Sequence, residues 1–250
     1  MTFAEHRVPQ AAALLVWLVV WEIVGRFELL LLFPPFTDVL RAIPEVVTTP
    51  SFAAAARLTV GCYLAGLALA IVAGVALGLL MGLVKPADRL LDMWVNIFLS
   101  APLSALVPVI MILLGMGAPT VIATVFMFAV WIIALDTRAG VLHVSPSLVE
   151  MSLSFGASRR QRLGIVLLAA LPEILAGIRL GVIRGVKGVV IGQLLVSIIG
   201  VGALFKLYSQ HFLMSHFWAL IVILFAFALA LSGLVGRIEA RVEYYAGSRG

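Results

Sequence analysis

Charged residues are scarce in this chain of 250 residues. Aspartate, glutamate, lysine and arginine together make up 12% of it, whereas hydrophobic residues account for 63%. A soluble domain has about 25% charged and about 45–50% apolar residues. So apolar a chain does not dissolve as a monomer. The composition therefore excludes cytosolic enzymes and nucleic-acid-binding proteins, and a lipid bilayer is the expected surrounding.

Residues that build redox, metal or catalytic centres are also few. Cys62 is the one cysteine, so an internal disulfide is excluded and an inert core thiol is expected. His211 and His216 lie five residues apart, a spacing that suits neither one helix face nor a common zinc site. The sequence has no Walker A phosphate loop, no G-x-S-x-G elbow and no H-E-x-x-H pair. We therefore expect no metal, no bound cofactor and no catalytic residue in this chain.

Long hydrophobic runs are abundant. A bilayer core of about 30 Å requires roughly 20 apolar residues per helix. The first run contains Glu22 and Arg26, whose i, i+4 spacing predicts an ion pair on one helix face. The fold class predicted is all-α, a polytopic membrane protein with six transmembrane helices. These spans are predicted at residues 10–33, 57–83, 95–114, 119–137, 173–199 and 217–237.

The distribution of lysine and arginine predicts the orientation in a cell inner membrane, because cytoplasmic segments carry an excess of these residues. The chain has 17 lysine and arginine residues. If the N-terminus lies in the cytoplasm, four of them lie within predicted spans and three lie in external segments, namely Arg41, Arg57 and Lys206. Both termini are therefore expected in the cytoplasm. The cytoplasmic segments then hold the remaining ten, which are Arg7, Lys85, Arg89, Arg138, Arg159, Arg160, Arg162, Arg237, Arg241 and Arg249.

Small residues recur every four positions in two of the predicted spans. Such rows allow helix backbones to approach closely, which is how helices associate where lipid is as apolar as leucine. The pattern predicts two tightly packed helices in a compact bundle. The packing residues are Gly66, Ala70, Gly74, Gly78 and Gly82 in the second span, and Gly177, Gly181 and Gly185 in the fifth.

The fifth span also carries polar residues at membrane depth. Lys187 lies about 20 Å beyond Glu173 at 1.5 Å per residue, which is too deep for its ammonium to reach the cytoplasmic surface easily. Charges at this depth mark either a buried pair or a substrate pathway. Arg179 lies near the cytoplasmic end of the span, where a structural role is expected. We take Arg184, Lys187 and Gln193 as candidate pathway residues, and a cationic pathway would favour anionic cargo.

A long basic stretch separates the fourth and fifth spans. Ser147 and Glu150 have the spacing of a capping box, as do Ser158 and Gln161. Ser145 and Pro146, just ahead of Ser147, also suit a helix start. Gly156 between them suits a helix that ends in the left-handed conformation. The pattern predicts two short cytoplasmic helices hinged at Gly156. A basic surface loop held by anionic lipid is the alternative.

This stretch resembles a motif of ATP-binding-cassette (ABC) importer permeases, E-A-A-x3-G-x9-I-x-L-P. Glu150 and Gly156 occupy its fixed positions, whereas Met151 and Ser152 replace the two alanines and Ala169 replaces the proline. The surroundings, over roughly residues 55–215, are similar to the branch that includes nitrate, sulfonate and taurine permeases. They include Asp136, Arg138, Gly140, Pro146, Gly177, Gly181, Gly200 and Gly202. Gln193 stands where that branch often has an acidic residue.

The resemblance implies a permease subunit that dimerises, receives a small solute from an external binding protein, and is driven by two cytoplasmic ATPase subunits. ATP and Mg would be bound by those ATPases and not by this chain. The loop would provide a coupling helix, with Glu150, Met151, Ser152 and Gly156 at the coupling positions and Ala157 and Ser158 beside them. Independently of the resemblance, we add Arg159 and Arg160, with Arg162, as partners for acidic groups of the ATPase. The cargo expected is a small anion of the sulfonate, nitrate or taurine kind.

Three segments of the chain follow from this interpretation. Residues 1–56 hold the first span and an external amphipathic segment, residues 57–237 the permease core with a coupling loop at about 139–172, and residues 238–250 a cytoplasmic tail. A self-contained secondary transporter or channel is the alternative function. Pro102 and Pro108 interrupt the third span, but the sixth span has no counterpart at matching positions. A membrane scaffold would leave the cations of the fifth span and the loop unexplained.

Overall fold

A computed structural model describes residues 7–28, 30, 32–196 and 199–247. The described part of the chain contains helices and no strand, which confirms the all-α class. We number the α-helices in chain order as α1 Arg7–Arg26, α2 Phe36–Val47, α3 Pro50–Leu83, α4 Lys85–Ser100, α5 Val107–Leu114, α6 Ala118–His143, α7 Pro146–Ser154, α8 Arg159–Ala169, α9 Leu171–Val196, α10 Gly200–Gln210 and α11 Met214–Gly247.

Helix α6 occupies the centre of the bundle, with α3 packed on one side. Added Cβ atoms on the α3 glycines would lie 2.6 Å from the Ile122 carbonyl oxygen at Gly66 and 2.9 Å from the Ile133 Cβ at Gly74. Gly82 faces Val141 in the same way, at 2.6 Å. Because no side chain fits at these positions, the glycine row of α3 is the surface on which α6 lies.

The glycines of α9 also face α6. An added Cβ would lie 2.7 Å from the Asp136 Cβ at Gly177 and 2.6 Å from the Ile133 Cδ1 at Gly181. Gly185 faces the ring of Tyr63, a fully buried side chain of α3. The two glycine rows thus hold α3, α6 and α9 as one unit, and Ile133 of α6 contacts both.

Among the residues that the structure describes, three helices are long and apolar enough to cross a membrane, namely Pro50–Leu83, Ala118–His143 and the Met214–Leu231 part of α11. Two bent pairs raise the number to five, so six spans are not confirmed. Helix α1 ends at Arg26, short of the predicted end at residue 33, and its Glu22 and Arg26 form the expected ion pair at 2.6 Å. Residues 1–6, 29, 31, 197, 198 and 248–250 of the predicted segments lie outside the described residues.

The third span, predicted at residues 95–114 with interruptions at Pro102 and Pro108, is broken at Pro102, whereas Pro108 lies in the first turn of α5. Helix α4 ends at Ser100, and the chain bends by 95° before a 3-10 turn at Leu103–Leu106 leads into α5. Proline disfavours the helical conformation of the residue before it, and Ala101 before Pro102 has an extended ψ of 146°. The break therefore follows from a proline in the middle of an apolar run.

A smaller core lies where α2, α10 and α11 meet. The buried side chains of α2, Val39, Ala42 and Val46, pack with α10 and α11. Two tryptophans pack at the edge of this core. The Trp21 indole N–H donates to the Pro34 carbonyl at 3.1 Å, and the Trp218 indole N–H donates to the Leu32 carbonyl at 3.0 Å. Tryptophan is typical of the membrane–water interface.

Candidate functional site

The segment between α6 and α9 contains two short helices, α7 and α8. Helix α6 continues to His143, five residues into the loop predicted at 139–172, so the part that leaves the bundle starts at Val144. Helix α8 then meets α9 at a bend of 57°, where Pro172 follows Leu171 at the start of α9. The α9 helix therefore begins at a proline although Ala169 replaces the proline of the motif.

The start of α7 differs from the predicted capping box. Ser145 is the N-cap residue and Pro146 the first helical residue, so Ser147 lies inside the helix and does not cap it. The Ser147 hydroxyl instead pairs with the Ser145 hydroxyl at 2.6 Å. The reason is that proline is pre-organised for the first helical position, which moves the helix start two residues upstream.

The end of α7 is fixed by Gly156, as predicted. Its φ of +73° is the left-handed conformation, which glycine adopts without cost. The Gly156 N–H donates to the Leu153 carbonyl and the Ala157 N–H to the Ser152 carbonyl, both at 2.9 Å. These two bonds are the Schellman pattern, which satisfies the last carbonyls of a helix and turns the chain sharply.

The capping box at the start of α8 is confirmed. The Ser158 N–H donates to Gln161 Oε1 at 2.8 Å, and the Gln161 N–H donates back to the Ser158 hydroxyl. At its other end α8 is anchored by Val166 and Leu167, which pack against the buried Val141 of α6 and Ile174 of α9. The turn between α7 and α8 is therefore followed by a helix, α8, whose far end packs against the bundle core.

Apolar side chains point outward from this turn. Phe155 is 84% exposed and Met151 51% exposed, whereas Ser152 is buried and donates to the Val149 carbonyl at 2.6 Å. Of the other predicted contact residues, Ala157 is half-buried and the rest, Glu150, Gly156, Ser158, Arg159 and Arg160, are exposed. Phe155 lies within the motif but was not among the predicted contact residues. An aromatic before a helix-ending glycine is the signal that identifies it.

An ion-pair cluster at the end of α6 was also missed. Arg138 binds two carboxylates of α4, with its Nη1 at 2.8 Å from Asp92 Oδ1 and its Nη2 at 2.9 Å from Asp88 Oδ2. The planar guanidinium of arginine presents several N–H donors in a fixed arrangement, so one side chain can bind both carboxylates. The cluster ties α4 to α6 five residues before α6 ends. Its signal in the sequence is the i, i+4 spacing of the two aspartates.

Replacing Arg138 by glutamine is expected to lower the free energy of unfolding by about 2 kcal/mol, because two half-buried carboxylates lose their counter-charge. Thermal unfolding of the purified chain in detergent measures this. Arg89→Gln is the matched control, since Arg89 is an exposed arginine next to Asp88. Equal midpoints for the two variants would show that the cluster contributes nothing to stability.

The three candidate pathway residues of α9 lie in different surroundings. Gln193 is 2% exposed and accepts a bond of 3.0 Å from the Thr59 hydroxyl of α3, which itself accepts from the Val201 N–H of α10 at 3.1 Å. Gln193 therefore joins three helices where α9 gives way to α10. Arg184 is half-buried, whereas Lys187 is exposed and lines a cleft. Within the described residues, no group of three or more potential metal ligands occurs.

Comparison with known proteins gives a family match over most of the chain. Residues 66–244 match the binding-protein-dependent transport system inner membrane component. The chain is 31% identical over 199 residues to the taurine transport system permease protein TauC of Escherichia coli (strain K12), covering 76% of this chain and 72% of that protein. It is 27% identical over 215 residues to the nitrate import permease protein NrtB of Synechocystis sp., covering 80% and 76%.

The fold has a counterpart among solved structures. A chain in an inward-facing structure of the MetNI methionine ABC transporter has a TM-score of 0.63 and 22% identity, covering 74% of this chain and 93% of that chain. The structural match supports the bundle fold, and the sequence matches support the family. The chain belongs to the family of binding-protein-dependent transport system inner-membrane components and is a transmembrane permease subunit of an ABC importer.

Proposed function

We propose that the turn between α7 and α8 is the surface through which a cytoplasmic ATPase drives this permease. The observation that carries the proposal is Phe155, a large aromatic side chain that is 84% exposed at the end of a short helix that closes in a Schellman turn. Exposed aromatic side chains rimmed by polar residues are typical of protein interaction sites. Arg159 and Arg160 at the start of α8 would pair with acidic groups of the ATPase, and Glu150 with a basic one.

The contacts that hold this turn in place would let it transmit force to the helix bundle. The Schellman turn at Gly156 and the capping box at Ser158 leave little freedom between α7 and α8. The Val166 contacts connect α8 to α6 and α9, which also carry the packing glycines. When the two ATPase subunits close, they would displace Phe155. Helix α8 would then move relative to the bundle as a rigid body, because packed elements shift as units.

The remaining parts of the assembly follow from the family. Two ATPase subunits, which bind ATP and Mg, would contact two permease copies, and an external binding protein would deliver the solute. Both termini would lie in the cytoplasm, with a permease core at 57–237 flanked by the segments 1–56 and 238–250. The relatives are named for taurine and nitrate, which both carry an oxyanion group, so a small anion is the proposed cargo.

Co-purification tests this assignment. The chain is tagged at its C-terminus, extracted in mild detergent from its native membrane, and its stoichiometric partners are identified by mass spectrometry. A partner with a G-x-x-x-x-G-K-[ST] phosphate loop is the expected result. If no such ATPase is recovered even after cross-linking, the coupling assignment is wrong and a self-contained secondary transporter becomes the leading function.

A further inference from the structure

A cleft of about 460 Å³ lies between α9, α10 and α11. Its walls are aliphatic and aromatic, with rings from Phe205, Phe217 and Phe225. Lys187 is the one ionisable residue among those that line it. The volume is within the range of about 300–1,000 Å³ that small-molecule sites occupy. The cleft therefore combines the size of a ligand site with a single charge.

The Lys187 ammonium has no counter-charge in the described part of the chain, where it makes neither a hydrogen bond nor an ion pair. Lys187 lies 16 residues into α9, about 24 Å from its start and about 14 Å from Val196. A lysine at that depth in a bilayer is costly unless it is paired or faces water. Since Lys187 is exposed in the cleft, its ammonium is available to an anion that is not part of this chain.

The cleft lies in the external half of the membrane in the proposed orientation. Its α11 residues, Phe217 to Phe225, fall within the first three turns after Met214, where α11 enters the membrane from outside. Because α11 and α9 run antiparallel, Lys187 lies in the deeper half of the cleft, one turn short of Ile183. A solute released by an external binding protein would meet apolar walls before it reached the ammonium.

We propose that this cleft is a solute-binding site of the permease itself, and that it takes a monoanion with an apolar ring or chain. The proposal rests on the permease function given above and assigns its specificity. Lys187 would bind the anionic group, and the three phenylalanines would contact the apolar body. A small hydrated ion such as nitrate offers nothing to the apolar walls, so the site should discriminate against it.

Three probes separate charge from apolar contact. Benzoate carries both features, benzamide has the same shape without the charge, and nitrate has the charge without the ring. Binding is measured by calorimetry on the full chain, with its ATPase where one co-purifies, in phosphatidylcholine nanodiscs. Benzoate is expected to bind at least about tenfold more tightly than either other probe, since a hydrogen bond to a charged group and apolar burial each contribute. Equal binding of all three would overturn the proposal.

Substitutions locate the site. Lys187→Met should weaken benzoate binding at least about tenfold while Lys187→Arg retains it. Lys206→Met removes a cation from an exposed position outside the cleft and should have no effect. Ile221→Trp fills the cleft and should abolish binding although the ammonium is kept. If Lys206→Met weakens binding as much as Lys187→Met, the site is elsewhere.

Two further measurements distinguish a solute site from a lipid site, and failure of this proposal from failure of the permease function. Anionic phosphatidylglycerol added to the nanodiscs should leave benzoate binding unchanged, and its competitive loss would identify lipid as the occupant and overturn the solute site. Co-purification of the ATPase with Lys187→Met is expected to equal that of the unmodified chain. A chain that recruits the ATPase but binds no benzoate would refute the cleft site and leave the permease function intact.

Discussion

Gly78→Leu is expected to prevent the chain from accumulating as a folded protein in the membrane. A Cβ at Gly78 would collide with the Ala134 carbonyl oxygen and lie 2.6 Å from the Thr137 Cβ of α6. The obstacle includes α6 backbone, which no rotamer change relieves. Overpacking a core typically costs about 1–3 kcal/mol, and the effect here is expected at or above the upper end because α3 must separate from α6 along its whole glycine row.

Gly61→Leu is the matched control for this prediction. Gly61 lies on the same helix, and an added Cβ there meets nothing within 4 Å. Membrane-inserted protein and the monodisperse fraction after detergent extraction are measured for both variants. Gly61→Leu should behave as the unmodified chain, whereas Gly78→Leu should lose most of the monodisperse peak. Similar yields for the two variants would refute close packing of α3 on α6.

Phe155→Ala is expected to reduce the ATPase recovered with the purified permease at least tenfold. Truncating a central aromatic side chain of an interface costs about 2–4 kcal/mol, which corresponds to roughly 30-fold or more in affinity. The substitution removes a side chain that is 84% exposed, so the fold of the chain should not change. The ratio of ATPase to permease in the purified material is the measured quantity.

Phe212→Ala provides the control for the loss of an exposed aromatic ring. Phe212 is 74% exposed in the turn between α10 and α11, on the other side of the membrane in the proposed orientation. Its truncation should leave the ATPase ratio unchanged. A ratio that falls equally in both variants would mean that the loss reflects general damage, and an unchanged ratio in Phe155→Ala would remove Phe155 from the proposed contact.

Regular spacing made parts of this fold predictable. The i+4 row in α3 places its glycines on one face whatever the neighbours are, and the same holds for Gly177, Gly181 and Gly185 in α9. The helix end at Gly156 and the capping box at Ser158 are also local, since they depend on residues within five positions. Such features follow from the sequence because the chain satisfies its own backbone groups there.

Features that depend on tertiary contact were not predictable in the same way. The Arg138 cluster joins residues 46 and 50 positions apart, and Gln193 meets Thr59 across 134 positions. The prolines of residues 95–114 predict an interruption, but the 95° angle of the bend depends on how α4 and α5 each pack against α6. The role of Phe155 depends on its exposure, which only the packing of α7 and α8 determines.

Site-specific cross-linking from position 155 tests the coupling surface most directly. A photoreactive amino acid is placed at Phe155 and, as the reference, at Phe212, and the native membranes are irradiated. We expect a covalent adduct between the residue 155 variant and a protein with a Walker A phosphate loop, and none from the residue 212 variant. Adducts from residue 155 that contain only lipid, or no ATPase adduct at all, would contradict it.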